Sequence, residues 1–133
     1  MSDPVTPPTL SFDVPWDALC SDNRKYVSHS GYILSSEYRG AKTRLANAAW
    51  VAAKQAKWER ATGPVLLMVA VREPDRRRRD LNWSKQVKDA INESEAVWWD
   101  DSQVRQEFWY VFGVDKERPG ATVTIVLLPT ATP

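Results

Sequence analysis

The chain has 133 residues, of which 43% are hydrophobic and 26% are charged, and this composition predicts one globular domain rather than two. Eighteen basic against seventeen acidic residues leave a net charge of +1, which excludes a protein that attracts polyanions through its overall charge. A single cysteine, Cys20, excludes an internal disulfide and a cysteine-rich zinc site, and it is typical of a protein from a reducing cytosol.

Residues 1–8 are rich in proline and are predicted to form a flexible tail before a single domain of residues 9–133. This tail lacks the basic and apolar regions of a signal peptide. The longest apolar run, residues 65–71, is too short to cross a bilayer. The sequence therefore predicts a cytoplasmic protein without membrane contact.

The first half of the domain predicts one strand, one long loop and one long helix. Residues 10–14 alternate apolar and polar side chains, as a half-buried strand does. Residues 16–31 are polar and irregular, so we interpret them as a loop that is either functional or poorly ordered. The helix is expected to begin at Ser35 or Ser36, acting as the N-cap, and to end near residue 60. Its apolar stripe recurs at steps of three and four: Tyr38, Ala41, Leu45, Ala48, Ala52 and Ala56.

The second half predicts three strands and a short helix. Residues 65–72 are almost entirely apolar, which favours a central strand buried on both faces. Asp80 or Asn82 is expected to cap a helix of about residues 83–92. Its apolar face would consist of Trp83, Val87, Ala90 and Ile91. Residues 104–112 and 121–128 read as strands, and the shared face of Phe108, Tyr110 and Phe112 is interpreted as core.

The order of these elements predicts the fold class. Strand, helix, strand, helix, strand and strand indicate an α+β protein with a two-layer β-α-β-α-β-β architecture. Its layers would be a mixed four-stranded sheet and two helices packed on one face of that sheet.

Residues 73–104 concentrate charged side chains around the short helix. A block of four arginines ends on Asp80, Lys85 follows on the helix, and the pair Asp100 and Asp101 closes the stretch. The four arginines are Arg76, Arg77, Arg78 and Arg79. Carboxylates can hold one or two Mg²⁺ ions for phosphodiester cleavage, while arginines contact neighbouring phosphates. We expect adjacent strands to bring Asp80 and the aspartate pair together. The alternative is a solvated charged loop in which Asp80 is only a helix cap and the pair only a turn.

The order of residues in this stretch is more specific than its charge. The arginine block and Asp80-Leu81 precede a short helix that contains Lys85 and Asp-Ala-Ile. Residues 97–104 then read Val-Trp-Trp-Asp-Asp-Ser-Gln-Val, followed by the basic Arg105. This order, together with the predicted order of strands and helices, resembles the RusA family of Holliday junction resolvases. About thirty residues resemble the family closely, and most of the remaining chain does so loosely.

The resemblance implies a homodimeric, Mg²⁺-dependent endonuclease that nicks four-way DNA junctions symmetrically, with Mn²⁺ as an alternative metal ion and a phage or prophage as the source. A four-way junction has two-fold symmetry, so a symmetric cut needs two active sites related by that axis. Family resemblance also implies that the loop containing Arg24 and Lys25 contacts DNA, and the alternative is an ordinary solvated loop. Arg105 and the arginine block are expected to contact DNA as well.

Individual residues match the family's motifs with one departure. Asp101 matches the essential carboxylate of the Asp-Asp pair, and Asp80 matches the first aspartate of an Asp-Leu-Asp-Asn motif. Lys85 matches the helix lysine if one residue is deleted before it. The resemblance therefore implies Asp80, Asp101 and Lys85 as catalytic residues, with Asp100 as a further metal ligand. The second aspartate of the motif is either replaced by Asn82 or missing, and Asn82 can offer a metal only its carbonyl oxygen.

Three hypotheses follow from these observations. The first is a junction-resolving endonuclease of this family. The second is a protein of the same fold that binds junctions without cutting them, and Asn82 in place of a carboxylate motivates it. The third is a structural or partner-binding protein without a role on DNA, which would bind junctions without the salt dependence of phosphate contacts.

Overall fold

A computed structural model describes residues 7–20, 36–79 and 82–130 of the chain. Its strands are β1 (Thr9–Pro15), β2 (Val65–Glu73), β3 (Val104–Val114) and β4 (Gly120–Leu127), and its helices are α1 (Ser36–Gln55) and α2 (Ser84–Ser94). These elements follow the predicted β-α-β-α-β-β order, and the predicted α+β class is confirmed. Among the described residues, no helix is long and apolar enough to cross a membrane.

The sheet has the strand order β1-β4-β2-β3. Strand β2 pairs in parallel with β3 and antiparallel with β4, and β1 pairs antiparallel with β4, so the sheet is mixed as predicted. The parallel pair starts at Val65 and Val104 and ends at Glu73 and Val114. We call the side of the sheet where β2 and β3 start the amino edge, and the side where they end the carboxyl edge. The charged residues of the candidate site lie at these two edges.

Both helices cover the same face of the sheet. The residues of β2 alternate between fully buried and half-buried, and the fully buried ones belong to one core cluster with Leu45 of α1 and Val87 of α2. The prediction that β2 is buried on both faces is therefore wrong for one face. In the described part of the chain no helix covers the opposite face of the sheet.

Helix α1 is shorter than predicted, and its buried stripe differs from the predicted one. It ends at Gln55, and Lys57 then adopts a left-handed backbone with φ of 53°. The buried residues are Tyr38, Ala41, Leu45, Ala49 and Ala53. The predicted positions Ala48 and Ala52 are only half-buried and Ala56 is exposed. With alanine at so many neighbouring positions, the sequence does not determine which alanines face the sheet.

The aromatic face of β3 is not core. Phe108 and Tyr110 pair with Met68 and Ala70 of β2, on the face of the sheet that the helices leave uncovered. Their side chains are exposed, and the Phe112 side chain is 76% exposed. The prediction that these residues form core is therefore wrong, because alternation along a strand identifies two faces but not the face that another layer covers.

The helix-facing side of β3 contains an ion pair that joins it to α2. Glu107 accepts hydrogen bonds from Ser84 and from the indole nitrogen of Trp109, and Lys88 Nζ lies 3.2 Å from its carboxylate. Burial by itself raises the pKa of Glu107, but the hydrogen bonds from Ser84, Trp109 and Lys88 and the charge of Lys88 outweigh burial and lower it. The ionised carboxylate is therefore the form that stabilises the contact between α2 and β3.

This contact predicts a pH-dependent contribution to stability. Because the pKa of Glu107 is lower in the folded chain than its ordinary value of 4.5, its contribution is fully present above pH 4.5 and is lost as pH falls through the folded pKa. Glu107→Gln should lower the free energy of unfolding at pH 7, and the difference from wild type should shrink below pH 4.5. Urea unfolding across this pH range measures the difference, with the exposed Glu117→Gln as the control. An equal difference at pH 3 and pH 7 would contradict the prediction.

Candidate functional site

The aspartate pair lies in a tight turn at the amino edge. A 3-10 turn (Asp101–Gln103) leads directly into β3, and Asp100 is its N-cap. The Asp100 carboxylate accepts a hydrogen bond from the Ser102 backbone N–H, and the Gln103 side chain accepts one from the Asp100 backbone N–H, which together form a capping box. The hydroxyl and the backbone N–H of Ser102 lower the pKa of Asp100. Asp100 is therefore exposed but engaged in holding the turn.

Gln103 fixes this turn to the rest of the molecule. Its amide nitrogen donates to the backbone oxygens of Ala61 and Gly63, at 2.8 and 2.9 Å, in the segment that leads from α1 into β2. Its amide oxygen accepts from the backbone N–H of Trp99 at 2.8 Å. The Asp-Asp-Ser-Gln sequence thus has a structural role, because two of its four side chains hold the backbone on which Asp101 is presented.

Asp101 is oriented by a short chain of hydrogen bonds from the core. The indole nitrogen of the fully buried Trp98 donates to Asn92 Oδ1. Since Trp98 can only donate, Asn92 must turn its amide nitrogen outward, and this nitrogen donates to Asp101 Oδ2 at 3.3 Å. Among the described residues, Asn92 is the only hydrogen-bond donor to the Asp101 side chain, so its second carboxylate oxygen is available to a ligand.

The arginine block lies beyond the carboxyl edge of β2 and divides into two parts. Arg76, Arg77 and Arg78 are exposed and form no ion pair with any acid of the described chain. Arg79 is largely buried, since its guanidinium contacts Glu73 at 3.2 Å and Asp75 at 2.8 Å and lies over the ring of Trp16. Three of the four arginines are therefore available to a polyanion, while Arg79 holds the loop in place.

The start of α2 lies near the arginine block. Trp83 is the N-cap of α2 and makes no side-chain cap hydrogen bond, so the prediction that Asn82 caps this helix is wrong. Asn82 is half-buried, and Lys85 in the first turn is exposed. Trp83 packs edge-on against Trp16, over which the guanidinium of Arg79 also lies. This aromatic contact brings the start of α2 and the arginine block together at the carboxyl edge.

The two groups of predicted site residues that the structure describes lie at opposite ends of α2. Asn82 precedes the helix and Asn92, which contacts Asp101, lies in its last turn. The helical stretch from Ser84 to Asn92, which lies between them, is about 12 Å long at 1.5 Å per residue. Ligand atoms of a single Mg²⁺ lie about 2.1 Å from the ion and therefore within about 4 Å of one another. In the described part of the chain no three acidic, histidine or cysteine side chains come together.

Three predicted site residues, Asp80, Arg24 and Lys25, lie outside the described residues. Arg105, also predicted to contact DNA, is exposed in β3 directly after the aspartate turn. Sequence reasoning did not identify Asn92 as a neighbour of Asp101. A single asparagine near a helix end does not indicate a functional role in a sequence. Its contact with Asp101 becomes apparent only in the folded structure, where the buried Trp98 donates to its side-chain oxygen.

Comparison with known families gives one match. The profile described as RusA, endodeoxyribonuclease RusA, matches residues 15–126 of the 133-residue chain. The matched range covers both helices, the arginine block and the aspartate turn. No curated protein shows a significant match to the chain.

Proposed function

Because the chain belongs to the RusA family of endodeoxyribonucleases, we propose that it is a Mg²⁺-dependent endonuclease that binds four-way DNA junctions and nicks them symmetrically. The single observation that supports this proposal best is the family match over residues 15–126, which includes every candidate residue at both edges of the sheet. Cleavage of a synthetic four-way junction in Mg²⁺ tests it directly. Intact junction after incubation in both Mg²⁺ and Mn²⁺ would contradict it.

The oxygen ligands that the candidate residues offer fit a divalent cation such as Mg²⁺ only in part. Asp101 offers a carboxylate oxygen at the amino edge, and Asn82 offers an amide oxygen at the carboxyl edge. Asp80 would add a second carboxylate beside Asn82 in the sequence. We propose that Mg²⁺, when bound by these residues, supplies an activated water and neutralises charge on the scissile phosphate. Asp100 is a weaker candidate ligand, since its carboxylate already caps the turn.

The separation of the two groups supports a homodimer in which each metal site combines residues from both subunits. A two-fold axis perpendicular to β3 makes the two β3 strands run antiparallel, so the amino edge of one subunit lies beside the carboxyl edge of the other. Asp101 of one subunit would then meet Asp80 and Asn82 of its partner. Two identical sites result, as a symmetric cut in a two-fold symmetric junction requires.

The surface of β3 has the properties expected of such an interface. It is an eleven-residue edge strand, and in the described part of the chain no strand pairs with its outer side. Its exposed apolar side chains are Phe108, Tyr110, Val111, Phe112 and Val114. A long, apolar edge strand is prone to aggregation unless another surface covers it. A second copy of the chain covers it and also completes the metal site.

The remaining basic residues have distinct roles in this proposal. Arg76, Arg77 and Arg78 hold the backbone phosphates beside the scissile bond, and Lys85 stabilises the negative charge that develops on the phosphate during cleavage. Arg105 contacts DNA next to Asp101. Arg79 acts on DNA only indirectly, because its guanidinium is held by Glu73 and Asp75.

The division of the arginine block leads to a prediction on salt dependence. Replacing Arg76, Arg77 and Arg78 together with glutamine leaves up to three phosphates without a neutralising guanidinium. The slope of log K against log salt concentration should then become less steep by about 0.9 for each of these phosphates. Titration of a labelled junction at several salt concentrations measures the slope. Arg79→Gln should leave the slope unchanged and instead lower the melting temperature, and a triple variant with the wild-type slope would contradict the assignment.

A prediction on Asn92 tests the orientation of Asp101. Asn92→Ala leaves the buried indole N–H of Trp98 without its acceptor, which costs about 1–3 kcal/mol of stability, and removes the only described donor to Asp101. Cleavage should then require a higher Mg²⁺ concentration for half-maximal rate. Thermal unfolding and Mg²⁺ titration of the cleavage rate measure the two effects, with the exposed Asn47→Ala as the control. An unchanged Mg²⁺ requirement would show that Asn92 supports only Trp98.

The second candidate function is junction binding without cleavage. Asn82, where the family motif has an aspartate, favours it, because an amide oxygen adds no charge to the metal site. Salt-dependent binding of a junction that stays intact in Mg²⁺ and in Mn²⁺ would support this function over the first.

A further inference from the structure

We propose that Trp99, held in place by Arg60, is a stacking site for an unpaired nucleobase of the bound DNA. This inference rests on the proposed function, since it assigns a binding role beside Asp101 on the same substrate. Trp99 directly precedes Asp100 in the sequence and lies at the amino edge. A base stacked there would belong to a nucleotide near the phosphate that is cut.

The two adjacent tryptophans have opposite environments. Trp98 is fully buried and is part of the core, whereas the side chain of Trp99 is 62% exposed. Exposed tryptophan is uncommon because the indole is the largest apolar side chain and contributes most when it is covered. Packing in the core therefore accounts for a tryptophan at position 98 but not for one at position 99.

The exposed ring is nevertheless held in a defined position. The guanidinium carbon of Arg60 lies 3.7 Å from the centre of the Trp99 ring, so it stacks on one face of the indole. Arg60 is itself fixed, because its Nε donates to the backbone oxygen of Trp98 at 2.9 Å. The backbone N–H of Trp99 is held by Gln103 at 2.8 Å. One face of the ring is covered, and the exposure of the residue leaves the other face open.

This arrangement is suited to a base rather than to a phosphate or a protein side chain. A planar ring that is already immobilised loses little conformational entropy when a second planar ring stacks on it. Every nucleobase has a π-face, so stacking does not require a particular sequence. Bases at the branch point of a four-way junction can leave their stack, while bases inside a paired duplex cannot do so without cost. The site should therefore distinguish branched from continuous DNA.

The experiment compares binding of a labelled four-way junction and of a duplex of equal length, measured by fluorescence anisotropy without divalent cations. Stacking of one base contributes about 1–3 kcal/mol, so Trp99→Ala should weaken junction binding by about 5- to 150-fold. Its binding to duplex should stay close to that of wild type. Trp99→Phe retains an aromatic face and should recover most of the junction affinity.

Trp50→Ala is the matched control. Trp50 is also exposed, at 49%, and also has a cation near its ring, Lys54 Nζ at 5.7 Å, but it belongs to α1 and not to the segment that precedes the aspartate turn. This variant should bind the junction like wild type.

Three results would overturn the inference. The first is wild-type junction affinity in Trp99→Ala, and the second is an equal loss of junction and duplex binding. The third is a monomeric Trp99→Ala protein in light scattering, which would assign the residue to the subunit interface. Failure of the proposed function is distinguishable, because wild-type protein would then leave the junction intact in both Mg²⁺ and Mn²⁺, whatever the effect of Trp99→Ala on junction binding.

Discussion

Asp101→Asn should reduce the rate of junction cleavage by about 10³-fold, the order expected when a preorganised charge-stabilising group is lost from an active site. The asparagine keeps one oxygen and the approximate shape of the side chain but removes the negative charge that a divalent cation requires. Asn92 can still donate to the remaining oxygen, so the turn should stay intact. Cleavage of a labelled four-way junction under single-turnover conditions measures the rate, and anisotropy without divalent cations should show that junction affinity is retained.

The neighbouring aspartate is the control for this prediction. Asp100 caps the turn through the backbone N–H of Ser102, and an asparagine at an N-cap position preserves that hydrogen bond. Asp100→Asn should therefore cleave at nearly the wild-type rate and unfold at nearly the same temperature. If Asp100→Asn loses cleavage and Asp101→Asn does not, the roles of the two aspartates in this turn are reversed.

Mixing two inactive variants should restore cleavage if each metal site combines residues from both subunits. In a heterodimer of Asp101→Asn and Asp80→Asn, one site contains both substitutions and the other contains neither. Random exchange of subunits then leaves about a quarter of all sites intact. A site built within one subunit would contain one substitution in every case, and mixing would restore nothing.

The measurement is nicking of one labelled junction strand after the two variants have been unfolded together and refolded. Each variant refolded by itself is the control and should remain inactive. A Phe112→Asp variant provides the complementary test, because a charge on the exposed β3 surface should shift the protein toward monomers and reduce cleavage. Full cleavage by a stable monomer would contradict the shared site.

The two predictions depend on different parts of the molecule. The first concerns one carboxylate whose position is set by local hydrogen bonds at the amino edge. The second depends on the length of α2, which keeps Asn82 and Asp101 apart in a single chain. A protein that fails to cleave as a monomer but cleaves as a dimer would couple its activity to the two-fold symmetry of its substrate.

The order and type of the helices and strands follow from the amino-acid sequence without any knowledge of the packing. The spacing of apolar residues along the chain predicts each element, and this spacing is a local property. It appears as alternation in β1, as a continuous apolar run in β2 and as an apolar face in α2. The Asp-Asp-Ser-Gln motif also points to the family without any geometry, because residue order in that turn is specific. Its capping box and its contacts to Ala61 and Gly63 explain why the turn needs those side chains.

Which surfaces are covered and which residues meet depends instead on the packing of the whole domain. Phe108, Tyr110 and Phe112 have the pattern of a core strand, but the helices pack on the other face of the sheet. Asn82 and Asp101 flank the same helix in sequence, yet they lie at its opposite ends, because the helical stretch from Ser84 to Asn92, whose side chain contacts Asp101, is about 12 Å long. Burial and proximity depend on how distant segments pack, and the pattern along a single strand or helix does not contain that information.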